Sequence, residues 1–499
     1  MKNILIKMMM LSMILGTRIC DLNISSTLDN NRSCGQRPIL NENIISPSGH
    51  FKIHYNNYYD GINDYAYNVA IAADSSRKVI VEEMNFRSEV LDEDGLYDIY
   101  IEQLPNGSYG WNCPDGDLGQ SWVEIDDNYI GTNYGTTGLD AMRISIAHEY
   151  FHAVQRAYVP SPGQNSFFYE LSSIWIEDII FPEIDDYIFF SQNGDDYFSD
   201  PEKNMNAYNG YGLGLYGHYM NFMFDNQIMQ RIWEDFSLMD SDDENEHVFN
   251  AIDNVLDSQD FGYNSSFVQT WLDFNSKNIF NGYFSDMQNN IYYYSDQAEF
   301  NPIDTNSSLI DSIESINFDL NNRSVSIKSY IPKNISIINI YNSPNYSDIR
   351  GSLALFSNSS TIYDVYHNYQ SDILNSDDNF HILYIADSNN REFESSIVYT
   401  ALDLDNSDEI FIYPNPIYSD NNISFRLSPG IQANQIILKL FNINGQLLKI
   451  INLGSVDYTL NDFNEFNMPF FDNNLASGIY ILSFDLDDKI INKKITYLK

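Results

Sequence analysis

His148-Glu149-Tyr150-Phe151-His152 is the stretch on which the reading of this chain turns. Two histidines four positions apart stand one above the other on a helix, so both imidazoles can reach one metal ion. Glu149 lies beside them, where its carboxylate can polarise a water held by that ion. The surroundings predict a helix: Ile144, Ala147, Phe151 and Val154 give it an apolar side from about Leu139 to Tyr158, and Pro160 and Pro162 stop it. The plainer alternative is a pair of polar core residues on an amphipathic helix. Two stacked imidazoles and a carboxylate in a buried stretch would then need other partners.

The next motif outward is Glu170-Leu171-Ser172-Ser173-Ile174-Trp175-Ile176-Glu177-Asp178, beginning 170 − 152 = 18 residues after His152. That interval accommodates one loop and an antiparallel helix returning to the histidines. A catalytic zinc takes three protein ligands and keeps one position open for water. Glu170, Ser173 and Glu177 share a helix face, so one carboxylate can ligate while another orients a histidine from behind. The alternative is an acidic, solvated helix face, a stronger rival for Glu177 than for Glu170. Asp178 reads as a surface or supporting residue.

The order His148, His152, Glu170 resembles the gluzincin metallopeptidases, the thermolysin-like and aminopeptidase-like clan with a glutamate as third ligand. Residues 170–178 are similar to the Glu-Gly-x-Ala-x-Trp-x-Glu-Asp form of a group of secreted bacterial metalloproteases. Two further stretches of that group are matched by Asp94-Gly95-Leu96-Tyr97-Asp98-Ile99-Tyr100 and Asp127-Asn128-Tyr129. The likeness covers roughly residues 34–280; Leu171 and Ser173 stand where the group has Gly and Ala. It implies an α+β zincin-like domain, a mixed sheet with active-site helices, over residues 48–300. It also implies Zn2+ on His148, His152 and Glu170, with Glu149 as the general base of a secreted metalloendopeptidase acting on protein or peptide. The rival is a cell-surface adhesin or binding protein that keeps the fold without turnover. Such a peptidase needs a donor for the tetrahedral oxyanion. In the glycine-rich segment Tyr208–Tyr219, Tyr211 is the first candidate and His218 the second, against plain helix packing. The remaining histidines (His50, His54, His247, His367, His381) lack ligand spacing.

The composition is acidic and favours divalent cations. The 499 residues carry 70 acidic and 26 basic side chains, a net charge of −44, which opposes binding to nucleic acid or anionic lipid. Dense oxygen donors at Asp92-Glu93-Asp94-Gly95 and Asp240-Ser241-Asp242-Asp243-Glu244 suit either a solvated loop or Ca2+, though neither completes an EF-hand loop. A 43% hydrophobic content excludes wholesale disorder, and three cysteines exclude a disulfide-dense scaffold.

Residues 1–20 read as a signal peptide, with Lys2 ahead of a short apolar run, and no transmembrane anchor is expected in the mature form. Residues 21–47 read as a leading loop or pro-segment. Strands are predicted at Phe51–Tyr55, Leu96–Leu104 and Ser121–Ile125, and helices over 64–86, 166–181, 211–224, 228–238 and 266–280. Residues 301–405 alternate apolar and polar side chains and predict an all-β module; a linker at 403–408 leads to a β-sandwich at 410–499. That last unit resembles the C-terminal sorting domain of the type IX secretion system. The likeness rests on Tyr413-Pro414-Asn415-Pro416, Ile423-Ser424-Phe425, the Leu440–Leu448 hairpin, Leu475–Leu482 and Lys493-Lys494-Ile495. It implies export through the periplasm and outer membrane, with the secretion machinery as partner. An oxidising periplasm favours a disulfide between Cys34 and Cys113 in the Trp111–Pro114 turn. The alternative is a Cys34 thiolate on the metal, by faint resemblance to the cysteine switch of matrix metalloproteases.

Overall fold

The computed structural model describes residues 34–499 except 106, 132–133, 194–196, 240–243, 283–295, 297–298 and short segments beyond 301. The signal peptide, residues 21–33, the acidic run at 240–243 and the linker at 403–408 lie outside the described residues. A five-stranded sheet comes first, built from β1 (Glu42–Ile45), β2 (Phe51–Tyr55), β3 (Tyr97–Glu102), β4 (Gly110–Pro114) and β5 (Ser121–Asp126). Its spatial order is β1-β2-β3-β5-β4. The three inner strands are parallel, with Ile53 opposite Ile99 and Ile99 opposite Val123. The two edge strands run antiparallel to their neighbours.

Those edges are where the structure departs from the sequence reading. The leading segment contains strand β1, and Trp111–Pro114, read as a turn, is strand β4. Neither shows the alternation of a half-buried strand. β1 is largely exposed, and β4 buries a polar residue, Asn112, on the face where periodicity expects an apolar one.

The two faces of the sheet have separate cores. Ile99, Ile101, Val123 and Ile125 belong to the large core on the helical side. Tyr100, Leu104, Trp111, Cys113 and Trp122 form a small cluster on the other face, capped by Cys34 and Leu40. The Cys34–Cys113 disulfide straps the leading segment down there. Arg37 adds ion pairs to Asp92 at 2.9 Å, to Asp115 at 2.8 Å and to Asp98, with its guanidinium over the Trp122 ring. The disulfide excludes the alternative of a Cys34 thiolate on the metal.

On the helical side, α1 (Ile62–Arg77) and α2 (Gly138–Arg156) pack on each other and on the sheet, and α3 (Ser166–Ile180) packs along α2. α1 is extended by a wider turn over Lys78–Glu83, so the predicted 64–86 helix is nearly one element. From Ile144 to Arg156 every residue of α2 is buried, because the sheet, α1 and α3 surround it. Its polar stripe therefore faces protein, not water. Helices α4 (Asp186–Asn193), α5 (Gly214–Met223), α6 (Ile228–Phe236), α7 (His247–Asp257) and α8 (Phe267–Asn278) complete the unit. Trp175, Trp233 and Trp271 are fully buried among them.

Among the described residues, nine strands between Ser307 and Ala401 form sheets of five and four strands. Helix α8 packs on the larger one, and Val325, Ile327, Leu383 and Ile385 join the front core. Eight more strands from Ile410 to Leu498 form sheets of three and five around their own core, which includes Phe425, Leu438, Leu482 and Phe484.

Candidate metal centre

Helices α2 and α3 bring together the residues that the two motifs single out. His148, His152 and Glu170 each offer a ligand atom, all within 4.8 Å of one another, and all three residues are buried. The imidazole rings stand 4.6 Å apart at 88°. Glu170 Oε2 lies 3.1 Å from His148 Nε2 and 3.8 Å from His152 Nε2.

The ring orientations follow from what stands behind them. The Glu177 carboxylate accepts from His148 Nδ1 at 2.5 Å. Glu177 is 1% exposed, so the solvated-face reading does not hold for it. His152 Nδ1 donates to Gln155 Oε1 at 2.7 Å. The Gln155 amide is oriented by its Nε2, which donates to the Tyr169 carbonyl at 3.0 Å, and a carbonyl can only accept. With both Nδ1 atoms protonated, both Nε2 lone pairs point at the Glu170 carboxylate, and three electron-rich atoms converge at one buried point. A cation placed among the three atoms would be attracted by all of them. Two imidazoles, one carboxylate and hydrogen-bonded partners behind the rings suit a borderline transition metal. The residues present fit the ion that the motif implies.

The pose of α3 depends on the glycine-rich segment. Gly210 has φ +102°, and a Cβ there would lie 2.2 Å from the Phe167 carbonyl oxygen and 2.8 Å from Glu170 Cβ. Gly214 and Gly217 meet Ile174 and Trp175 in the same way, so α5 seats directly on the ligand helix. Leu171 is accommodated in the core at 0% exposure, and Ser173 Oγ lies 3.2 Å from His152 Nδ1.

Tyr211 is buried, its ring parallel to that of His148 at 6.2 Å between centroids. His218 is turned elsewhere: its Nε2 lies 3.4 Å from Asp178 Oδ2, and its ring lies 5.3 Å from that of Tyr187. Asp178 sits in a second cluster with Asp185 and Asp296. Burial, followed by the charges of Asp296 and Asp185, pushes the Asp178 carboxyl up to about 7. Burial pushes the His218 imidazole down to about 4. At neutral pH this pair is therefore held as a weakly charged contact instead of an ion pair. In the acidic turn, Asp92 and Asp94 face Arg37 and Lys52 respectively. Gln155 was not singled out from the sequence; its position three residues after His152, on the same helix face, is the signal that marks it.

Residues 411–497 match the family model described as a secretion system C-terminal sorting domain. The tail is a type IX sorting domain. The protein is accordingly exported by type IX secretion to the cell surface or beyond, with the secretion machinery as its partner. Among the described residues no helix is long and apolar enough to cross a membrane.

No curated protein matches the chain. Among solved structures, the adhesin domain of Epf from Streptococcus pyogenes is 11% identical over 37% of this chain and 72% of that one, with a TM-score of 0.14. The full extracellular region of zebrafish Gpr126/Adgrg6 is 11% identical over 38% and 31%, at 0.15. A Bifidobacterium dentium β-glucuronidase is 10% identical over 34% and 38%, at 0.16. The chain thus spans less than two fifths of the length of these last two. TM-scores this low carry no argument about fold or function.

Proposed function

We propose that the front half, residues 48–300, is a zincin-like zinc metallopeptidase of gluzincin type, carried out of the cell by its sorting tail. The observation that supports this reading is the convergence of His148 Nε2, His152 Nε2 and Glu170 Oε2, with Glu149 in the same turn of α2. Zinc bound there would act as a Lewis acid toward a water and a peptide carbonyl.

The chain's own residues supply the rest. Glu149, 0% exposed, takes the proton of the attacking water and returns it to the leaving amine. Glu177 and Gln155 hold the two imidazoles in the tautomer that presents Nε2. Tyr211, stacked on His148, is the assigned donor to the developing oxyanion. Strand β4 lies last in the sheet, beside Glu149, and is the strand against which an extended peptide substrate would pair.

The test is metal analysis of purified, secreted protein together with casein or gelatin digestion. Stoichiometric zinc and cleavage abolished by Glu149→Gln are expected. Protein that contains no zinc and cleaves nothing would overturn the peptidase reading and leave the adhesin one.

A further inference from the structure

Strand β4 and helix α2 meet at two points beside the general base. At Gly110 an added Cβ would lie 2.8 Å from Glu149 Cγ and 3.2 Å from its Oε1. The strand therefore passes the carboxylate with no room for a side chain. Two residues on, Asn112 is 2% exposed and spans two turns of the helix. Its Nδ2 donates to the main-chain oxygen of Glu149 at 3.0 Å, and its Oδ1 accepts from Arg156 Nε at 2.6 Å.

Chemistry fixes this orientation. A guanidinium only donates, so Oδ1 must face Arg156 and the amide group must face Glu149. Arg156, 3% exposed, is anchored in turn by donating from Nη1 to the Pro160 carbonyl at 2.7 Å. Tyr97 Oη and Ser121 Oγ, 3.1 and 3.2 Å from Asn112 Nδ2, steady the same amide from β3 and β5. On the opposite face of β4, the neighbouring Cys113 is tied to Cys34. The strand is thus held on both sides at the level of Glu149.

We propose that Asn112, oriented by Arg156, is a positioning residue: it sets the height of Glu149 against the edge strand along which substrate pairs. The role rests on the peptidase reading of the site. Asn112 reaches the site by its bond to the Glu149 carbonyl, so it acts through Glu149. A displacement of about 1 Å at a reacting group costs on the order of 100-fold in rate.

The discriminating variant is Asn112→Asp in the full-length secreted protein. It keeps the acceptor for Arg156 and removes the donor to the Glu149 carbonyl, while Tyr97 and Ser121 can rotate their hydroxyls to donate. Zinc content is expected to stay stoichiometric, KM to stay within about twofold, and kcat to fall roughly 10–100-fold. Amide hydrogen exchange over residues 146–153 should quicken. Because Asn112 works through Glu149, adding Asn112→Asp to Glu149→Gln should cost nothing more. A folded, zinc-loaded Asn112→Asp protein with wild-type kcat, or a double variant whose losses multiply, overturns the proposal.

If Asn112→Asp fails to fold, Gly110→Ala decides. It leaves the bridge intact and presses on the Glu149 side chain, so retained zinc with a lowered kcat supports the strand-to-base spacing, and an unchanged kcat overturns it. If the wild-type protein cleaves nothing, the peptidase reading falls by itself. Hydrogen exchange then still reads the clamp, and unchanged exchange in Asn112→Asp refutes it.

Discussion

Helix α3 supplies one carboxylate to each of two carboxylate–histidine groups, Glu170 facing α2 and Asp178 facing α5, and the groups differ in kind. At Glu170 the carboxylate meets two imidazole Nε2 atoms, each backed at Nδ1 by an acceptor, Glu177 or Gln155. At Asp178 the carboxyl meets a buried imidazole and two further acids, Asp185 and Asp296. The first group directs its ligand atoms to one point, where a cation would fit. The second lowers its own charge, with Asp178 pushed up to about 7 and His218 down to about 4. What distinguishes the first cluster is the set of hydrogen-bond acceptors behind the rings, which fixes where every lone pair points.

The contrast is broken most severely at the ligand itself. Glu170→Ala should strip the metal and abolish cleavage, read by metal analysis and digestion. Asp178→Ala should leave metal content unchanged. If the two results are exchanged, the clusters have been assigned the wrong way round. Glu149→Gln comes next: metal retained, with kcat lower by roughly 100- to 10,000-fold, as expected for a lost general base. Glu177→Gln should be milder, costing about 10–100-fold in metal affinity or rate, because it weakens the acceptor behind His148 without touching the metal directly.

The smallest effect belongs to the second cluster and depends on pH. Asp178 holds its proton more tightly when folded, so its contribution to stability is complete below the ordinary carboxylate range and is lost as pH rises through about 7. Asp178→Asn removes that loss. It should raise the melting midpoint by about 2–4 °C near pH 8, a gain that shrinks toward pH 4. A gain independent of pH would mean that Asp178 does not carry the proton assigned to it.

Much of the frame was legible because it is local. The run from Ile144 to Val154 has helical spacing, and the structure has α2 from Gly138 to Arg156. Helices near 166–181 and 228–238, and strands at Phe51 and Ser121, follow in the same way from short-range periodicity. The parts that escaped were those with no local signature. β1 and β4 are edge strands whose pairing partners, rather than their own patterns, make them strands. α4 and α7 were not predicted either, although α7 has a clear apolar side in Val248, Phe249, Ala251, Ile252, Val255 and Leu256.

The sequence by itself determined two things about this protein. His148, Glu149 and His152 share one helical turn and a little more, and the tail carries its sorting motifs in order; both are properties of neighbours along the chain. Only the tertiary structure decided the rest. It turned Glu170 toward Nε2 and Glu177 toward Nδ1 of the same imidazole, although both share a helix face. It turned His218 away to Asp178, and it seated Asn112 under Glu149 from 37 residues upstream. The physical reason is that a lone pair's direction depends on what is packed behind the side chain. That packing comes from elements far apart in the chain, so no local pattern encodes it.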